Sequence, residues 1–307
     1  GRRRTEGGEA HPRPVPVTRG GETTRAATAT NLGHDGGVTT ATAGPSDVRL
    51  VGLPVGMMHA AAEQWESMLR EYALRGMGGQ QQPYSAEEIT QAGTALATVS
   101  DATYEVDAAA AEVSVQLSEG MTTGLSLLQG ILDDARHLAI AGDLLVLPPL
   151  PEVVALRDWI CGEATEQAAG ADPCPWSLVV SMDDPADTAA PEWDASLVPP
   201  ADRAWLVGDD RNRIVAASPA ALRLLGWTAE ELLGQRLLVV IPHALREAHI
   251  AGFTRSVVSG HGDLLGRPLD LPALTREGAE VPITLTLTRH AARAGRHVYL
   301  AQLDSPA

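Results

Sequence analysis

The chain has 307 residues, 44% of them hydrophobic and 4% aromatic, with a formal net charge of −16. That is enough apolar material for two domains whose cores are built mainly from Ala, Val and Leu. All 23 basic residues are arginine, and the lack of lysine excludes P-loop, Schiff-base and protein-kinase chemistry, each of which needs that amine.

The charge is uneven. Residues 48–202 hold 5 Arg against 24 acids, whereas residues 203–303 hold 12 Arg against 9 acids. An acidic middle repels phosphate, which argues against nucleic acid as a partner. Two cysteines, Cys161 and Cys174, make neither a disulfide framework nor a zinc site, so reduced thiols in a cytoplasmic protein are expected. No apolar run reaches membrane-spanning length, and no apolar region follows Arg2-Arg3-Arg4 to make a twin-arginine signal.

Residues 1–47 are rich in Gly, Thr, Arg and Pro without periodicity, and are expected to be disordered. Residues 48–170 read as an all-α helical domain. Met58, Ala61, Trp65, Met68, Leu69 and Tyr72 mark one face of a first helix closed by Gly76. Ser85 and Glu88 form a capping box that opens a second, with Ile89, Ala92 and Leu96 inward. A third segment, about 102–118, aligns Val106, Ala110, Val113 and Leu117 at helical spacing. A fourth, about 123–141, ends at Gly142. Pro151 suits the first turn of a fifth helix, running to about Ala169. Cys161 falls on that helix, and without a neighbouring His or orienting group it reads as a small buried apolar side chain. Residues 171–202, rich in Pro, Asp and Ala, read as an irregular linker in which Trp176 and Trp193 pin parts of the chain to a neighbouring surface.

Residues 203–303 carry the most specific pattern. Trp205-Leu206-Val207 and Ile214-Val215-Ala216 are short apolar runs joined through Gly208-Asp209-Asp210, which reads as a strand-connecting turn. Thr228-Ala229-Glu230-Glu231 is a second capping box, and Gly234 suits a left-handed position after it. Ile241-Pro242 opens a longer helix, on which Leu245, His249, Phe253 and Val257 recur every four residues. Three strand-like runs follow, connected by Arg276-Glu277-Gly278 and by Ala291–Arg296. In the second run Val281, Ile283, Leu285 and Leu287 occupy one face, and Thr284, Thr286 and Thr288 the other.

This ordered series resembles the PAS domain, a small sensor fold of signalling proteins. The resemblance covers roughly a third of the chain and implies an α+β class overall: an N-terminal helical domain, then an antiparallel sheet flanked by helices. In haem-binding PAS proteins a histidine on the long helix ligates the iron, and Pro242, Arg246 and His249 reproduce the local spacing. Leu245, Phe253 and Ile283 are the candidate lining of a cavity beside it. Two readings stay open at His249, a haem ligand or a packed structural histidine. A covalent flavin of the LOV type is not expected, because the C-terminal region has no cysteine. His243, His249 and His261 match no metal-ligand spacing.

The resemblance implies a bacterial signal-transduction protein that senses a small ligand or mediates protein interaction, passing the signal to a protein partner or through a homodimer. With no nucleophile–base pair and no metal set in the sequence, enzymatic activity is not expected.

Overall fold

Val48 and Leu50 alternate with Asp47 and Arg49, a period of two. In the computed structural model, which describes residues 46–104, 106–107, 112–178, 190–200, 202–260, 262 and 264–306, this alternation makes strand β1 (Ser46–Val51). Helices α1 (Val55–Met77) and α2 (Ala86–Tyr104) follow. Strand β2 (Glu112–Leu117) and helices α3 (Glu119–Ala141) and α4 (Pro151–Ala168) complete this half. Strands β1 and β2 pair antiparallel, with Val48 opposite Val115 and Leu50 opposite Val113. Of the 47 residues expected to be disordered, 1–45 lie outside the described residues, and Ser46 and Asp47 open β1.

The pairing corrects the reading of 102–118 as a third helix. That segment ends α2 at Tyr104 and then supplies β2. The spacing of Val113 and Leu117 suits a helix, but Val113, Val115 and Leu117 also alternate, and all three are buried. Two periods compete locally, and the distant partner strand decides between them.

The other boundaries follow local chemistry. Glu88 Oε2 accepts from the Ser85 amide at 2.7 Å, and Ser85 Oγ accepts from the Glu88 amide at 3.3 Å. Ser118 caps α3, whose other end closes at Gly142 with φ 81°. The β1 edge is closed by α4: Gln167 Oε1 accepts from the Arg49 amide, and Gln167 Nε2 donates to the Arg49 carbonyl, both at 2.9 Å. Tyr72 is fully buried and donates to Asp134 Oδ2 at 2.5 Å. Burial and that carboxylate push its phenol well above the ordinary range.

Residues 171–178 and 190–200 are irregular apart from one 3-10 turn, Ala195–Leu197. Trp176 packs against the helical core and Trp193 against the sheet described next, so both act as pins.

Strands β3 (Trp205–Asp209) and β4 (Ile214–Ala217) lead into helices α5 (Pro219–Leu225) and α6 (Ala229–Leu232). After two 3-10 turns, Leu237–Val240 and His243–Leu245, comes α7 (Arg246–Ser259). Strands β5 (Leu269–Leu274), β6 (Glu280–Ala291) and β7 (His297–Asp304) finish the chain. The five strands form one antiparallel sheet in the order β4-β3-β7-β6-β5. The fold is therefore α+β, a largely helical first half and a helix-covered antiparallel sheet.

The inner sheet face (Leu206, Ile214, Ala273, Ile283 and Leu303) packs on Ala221, Leu225 and Leu232 of α5 and α6 and on Val240. The outer face carries Trp205, Val207 and Val298, covered by Trp193 and Val198. Val281, Ile283 and Leu285 share the inner face, as their alternation requires.

Helices α2 and α3 cross closely at Gly124, where an added Cβ would lie 2.8 Å from Ala95 Cβ and 2.9 Å from the Gln91 carbonyl oxygen. Neither contact can swing away. Gly124→Ala is expected to destabilise the protein by about 1–3 kcal/mol through overpacking, despite alanine's better helix propensity. Urea unfolding checks this; a stabilised variant would mean that the crossing is loose.

Candidate functional site

The site with the richest chemistry is where α7 meets the helical half. Ile250 and Ala251 of α7, with Leu238 just before it, are buried in the same apolar core as α1–α4. Helix α7 packs along α1, and its Phe253 also touches Tyr299 of β7, ring centroids 5.6 Å apart. Gripped from two sides, α7 turns Ile250, Ala251 and Thr254 fully inward. Leu245, His249, Phe253 and Val257, the face read as inward from spacing, are half-buried.

One ion pair crosses this apolar contact. Glu152 sits in the first turn of α4, where the exposed helix amides favour a carboxylate. Arg236 lies between α6 and the Leu237–Val240 turn. Its two terminal nitrogens meet the two Glu152 oxygens at 2.5 and 2.9 Å, with side-chain exposures of 1% and 0%. The fork geometry is bidentate, which combines strength with fixed orientation. Arg246 stands near the same carboxylate. Burial lowers its pKa, and attraction to Glu152 opposes that shift. Trp176 Nε1 donates to Glu247 Oε1 at 3.0 Å and adds a polar anchor at the rim.

The β3–β4 turn braces the site from the sheet side. Asp209 Oδ1 accepts from the amides of Arg211 and Arg213 at 3.0 and 2.9 Å, an Asx-type closure. Burial raises the Asp209 pKa, opposed by those two amides and by Arg296. Asp210 Oδ1 accepts from Arg296 Nε at 2.9 Å and from an Arg296 terminal nitrogen at 2.5 Å, while Oδ2 accepts from the His297 amide at 2.9 Å. Asn212 holds φ at 62°, a conformation asparagine tolerates. Its carbonyl accepts from the Leu237 amide at 2.8 Å. Sequence reading saw a turn here and missed the clamp. The visible signal was two adjacent acids followed by Arg211, Asn212 and Arg213.

The sequence candidates are not gathered into one cavity. Ile283 belongs to the core between sheet and α5–α6, whereas Phe253 packs against the helical core. Leu245 is half-buried at the entry to α7. His249 Nε2 lies 2.9 Å from Asn212 Oδ1, so the imidazole donates there, and its ring tilts against Phe253 with centroids 5.9 Å apart. Haem ligation through Nε2 requires that bond to break and a slot to open, so the residues as placed do not fit haem. His243 is exposed, and His261 lies outside the described residues. Cys161 is buried, with its thiol pushed up to about 12 by desolvation, as an inert core residue requires.

Burial, with a smaller contribution from Arg236, pulls the His249 pKa from 6.5 down to about 4. Between those values the unfolded chain takes up a proton that the folded chain refuses. The His249 contribution to stability is therefore whole above pH 6.5 and is lost as pH falls toward 4. His249→Gln is expected to flatten this acid-side slope by up to about 1.4 kcal/mol per pH unit. Urea midpoints of both proteins at several pH values check it, and equal slopes would contradict a neutral, largely desolvated His249.

Comparison with known proteins places the C-terminal third. A family model described as the PAS fold matches residues 201–300. An uncharacterised protein of Azorhizobium caulinodans is 30% identical over 99 residues, which span 32% of this chain and 13% of that protein's length. Similar solved structures include a PAS domain from Desulfitobacterium hafniense, at 17% identity, covering 34% of this chain and 93% of that one with a TM-score of 0.27. The PAS domain of the fruit-fly ELK potassium channel is 15% identical, covering 34% of this chain and 85% of that one with a TM-score of 0.28. With the strand order and helical cover described above, the family match makes residues 201–300 of this chain a PAS domain.

Proposed function

We propose that this chain is a bacterial, cytoplasmic signal-transduction protein whose PAS domain works as a protein-interaction module, not as an enzyme. Its first partner is the chain's own helical half, and a change in the PAS domain reaches a downstream protein through that half. The observation that carries this reading is the continuous core across α7, crossed by the buried Arg236–Glu152 pair. PAS domains are typical of signal-transduction sensors, and here the long helix of the domain is committed to a contact within the chain. Among the described residues no helix is long and apolar enough to cross a membrane.

The PAS interior supports interaction over ligand capture. Ile214, Ala221, Leu225 and Leu232 are fully buried and fill the space between helices and sheet. A small cavity of about 10 Å³ lies in the helical half, lined by Met58, Trp65, Leu96 and Cys161 among others. A second reading, a small polar ligand beside α7, rests on Asn212 Nδ2, which is buried without a protein hydrogen-bond partner next to His249. Denaturing mass spectrometry and an absorption spectrum of the purified chain decide between the two. The interaction reading expects neither a co-purified small molecule nor a Soret band after expression with added haem. A Soret band lost in His249→Ala would replace it with haem sensing.

The dock has its own test. Glu152→Ala leaves Arg236 buried without its counter-charge and is expected to cost about 3–5 kcal/mol, whereas replacing both by apolar residues of similar volume restores most of that stability. Proximity labelling in the source cell then compares the wild-type chain with the double variant. The reading requires a set of neighbouring proteins that changes when the pair is removed. An unchanged set, with the folded protein present at equal level, would refute a signalling role for the ion pair at the dock.

A further inference from the structure

The outer face of the PAS sheet is covered by a strap, residues 191–200. It lays Trp193 and Val198 over Trp205, Val207 and Val298. Its fastening is light. The Glu192 carbonyl accepts from the Arg293 amide at 2.9 Å, and the Pro199 carbonyl accepts from Trp205 Nε1 at 3.1 Å. Pro191, Pro199 and Pro200 have no N–H to offer. Trp193 is half-buried, and an open hollow of about 400 Å³ lies at the strap's head, lined by Glu192, Trp193, Asp194, Ala291, Ala292 and Arg293. An irregular segment with few backbone bonds to the described residues is the kind that opens locally, ahead of the fold.

The strap's head rests on the β6–β7 hairpin, and that hairpin leads to the helical dock by direct contacts. Arg293, which also pairs with the Glu192 carboxylate at 2.7 Å, shares the hairpin with Arg296. Arg296 clamps Asp210 in the β3–β4 turn. Two residues on, Asn212 binds His249 of α7 through its side chain and Leu237 through its carbonyl. Arg236, next to Leu237, holds Glu152 of α4. Asp210 and Asn212, which carry the two ends of the series, are both buried in this one turn.

We propose that the β3–β4 turn couples the strap on the outer sheet face to the Arg236–Glu152 dock, so that displacing the strap loosens the helical half. The strap is then a regulatory element, and whatever lifts it acts on the helical domain from the far side of the sheet. This deepens the functional reading above, because it supplies regulation of the same dock. Contiguity alone does not demonstrate coupling, and a mutant cycle does.

Hydrogen exchange of the full-length chain is the test. Trp193→Ala should speed exchange in residues 192–198 and, at a distance, raise it about tenfold in residues 153–160 of α4 and 246–254 of α7. Adding Asp210→Asn, which is isosteric and weakens the Arg296 clamp, should abolish the distant response and leave the strap response in place. If Asp210→Asn does not fold, as judged by its thermal melt, Arg296→Gln breaks the same clamp from the other side. Distant exchange within twofold of wild type despite a loosened strap would overturn the inference. So would a distant response that survives loss of the clamp, or a strap that Trp193→Ala does not loosen. Coupling found in a chain whose cellular neighbours ignore the dock would leave the inference standing and sink the signalling reading alone.

Discussion

The fold turns on a carboxylate and a guanidinium that neither half can bury alone. In the intact chain Glu152 at the start of α4 and Arg236 beside the Leu237–Val240 turn are both out of water, and each is the other's counter-charge. Each needs the other's geometry, and both oxygens and both terminal nitrogens are matched. Such a pair adds little net stability over an apolar contact, but it penalises any other arrangement of the halves. The apolar core around it supplies the attraction, and the ion pair sets the register. That division of labour makes the contact specific.

The same logic extends into the PAS domain. Its β3–β4 turn buries two aspartates, an asparagine and an arginine, an expensive set to take out of water. The cost is offset because the acids accept from backbone amides and from Arg296, while Asn212 holds both α7 and the entry to the Leu237–Val240 turn. Packed apolar side chains can slide past one another, but hydrogen-bonded groups in a low-dielectric setting are held at defined distances. The polar turn is therefore held by directional hydrogen bonds from several elements.

Local patterns made much of this legible. The Thr228–Glu231 box closes as its spacing requires, Gly234 takes the left-handed backbone expected of it, and Pro151 starts α4. Each depends on neighbours within a few residues, where the chemistry is readable from the chain. The candidate site was less legible. His249 reads from sequence as a haem ligand or a packed histidine, and its partner Asn212 lies in a turn that reads only as a connection. Glu152 looked like one acid among many in a strongly acidic stretch. Nothing in its own segment announces Arg236 as a partner.

The sequence by itself determined the helix caps, the alternating faces of the later strands and the PAS character of the C-terminal third, because those follow from side-chain period and backbone conformation. The tertiary structure decided which period won in residues 112–117, which face of α7 is buried, and which of many charges became a buried pair. Those outcomes depend on desolvation by segments far away in the chain, and desolvation is a property of the packed whole that no local window contains.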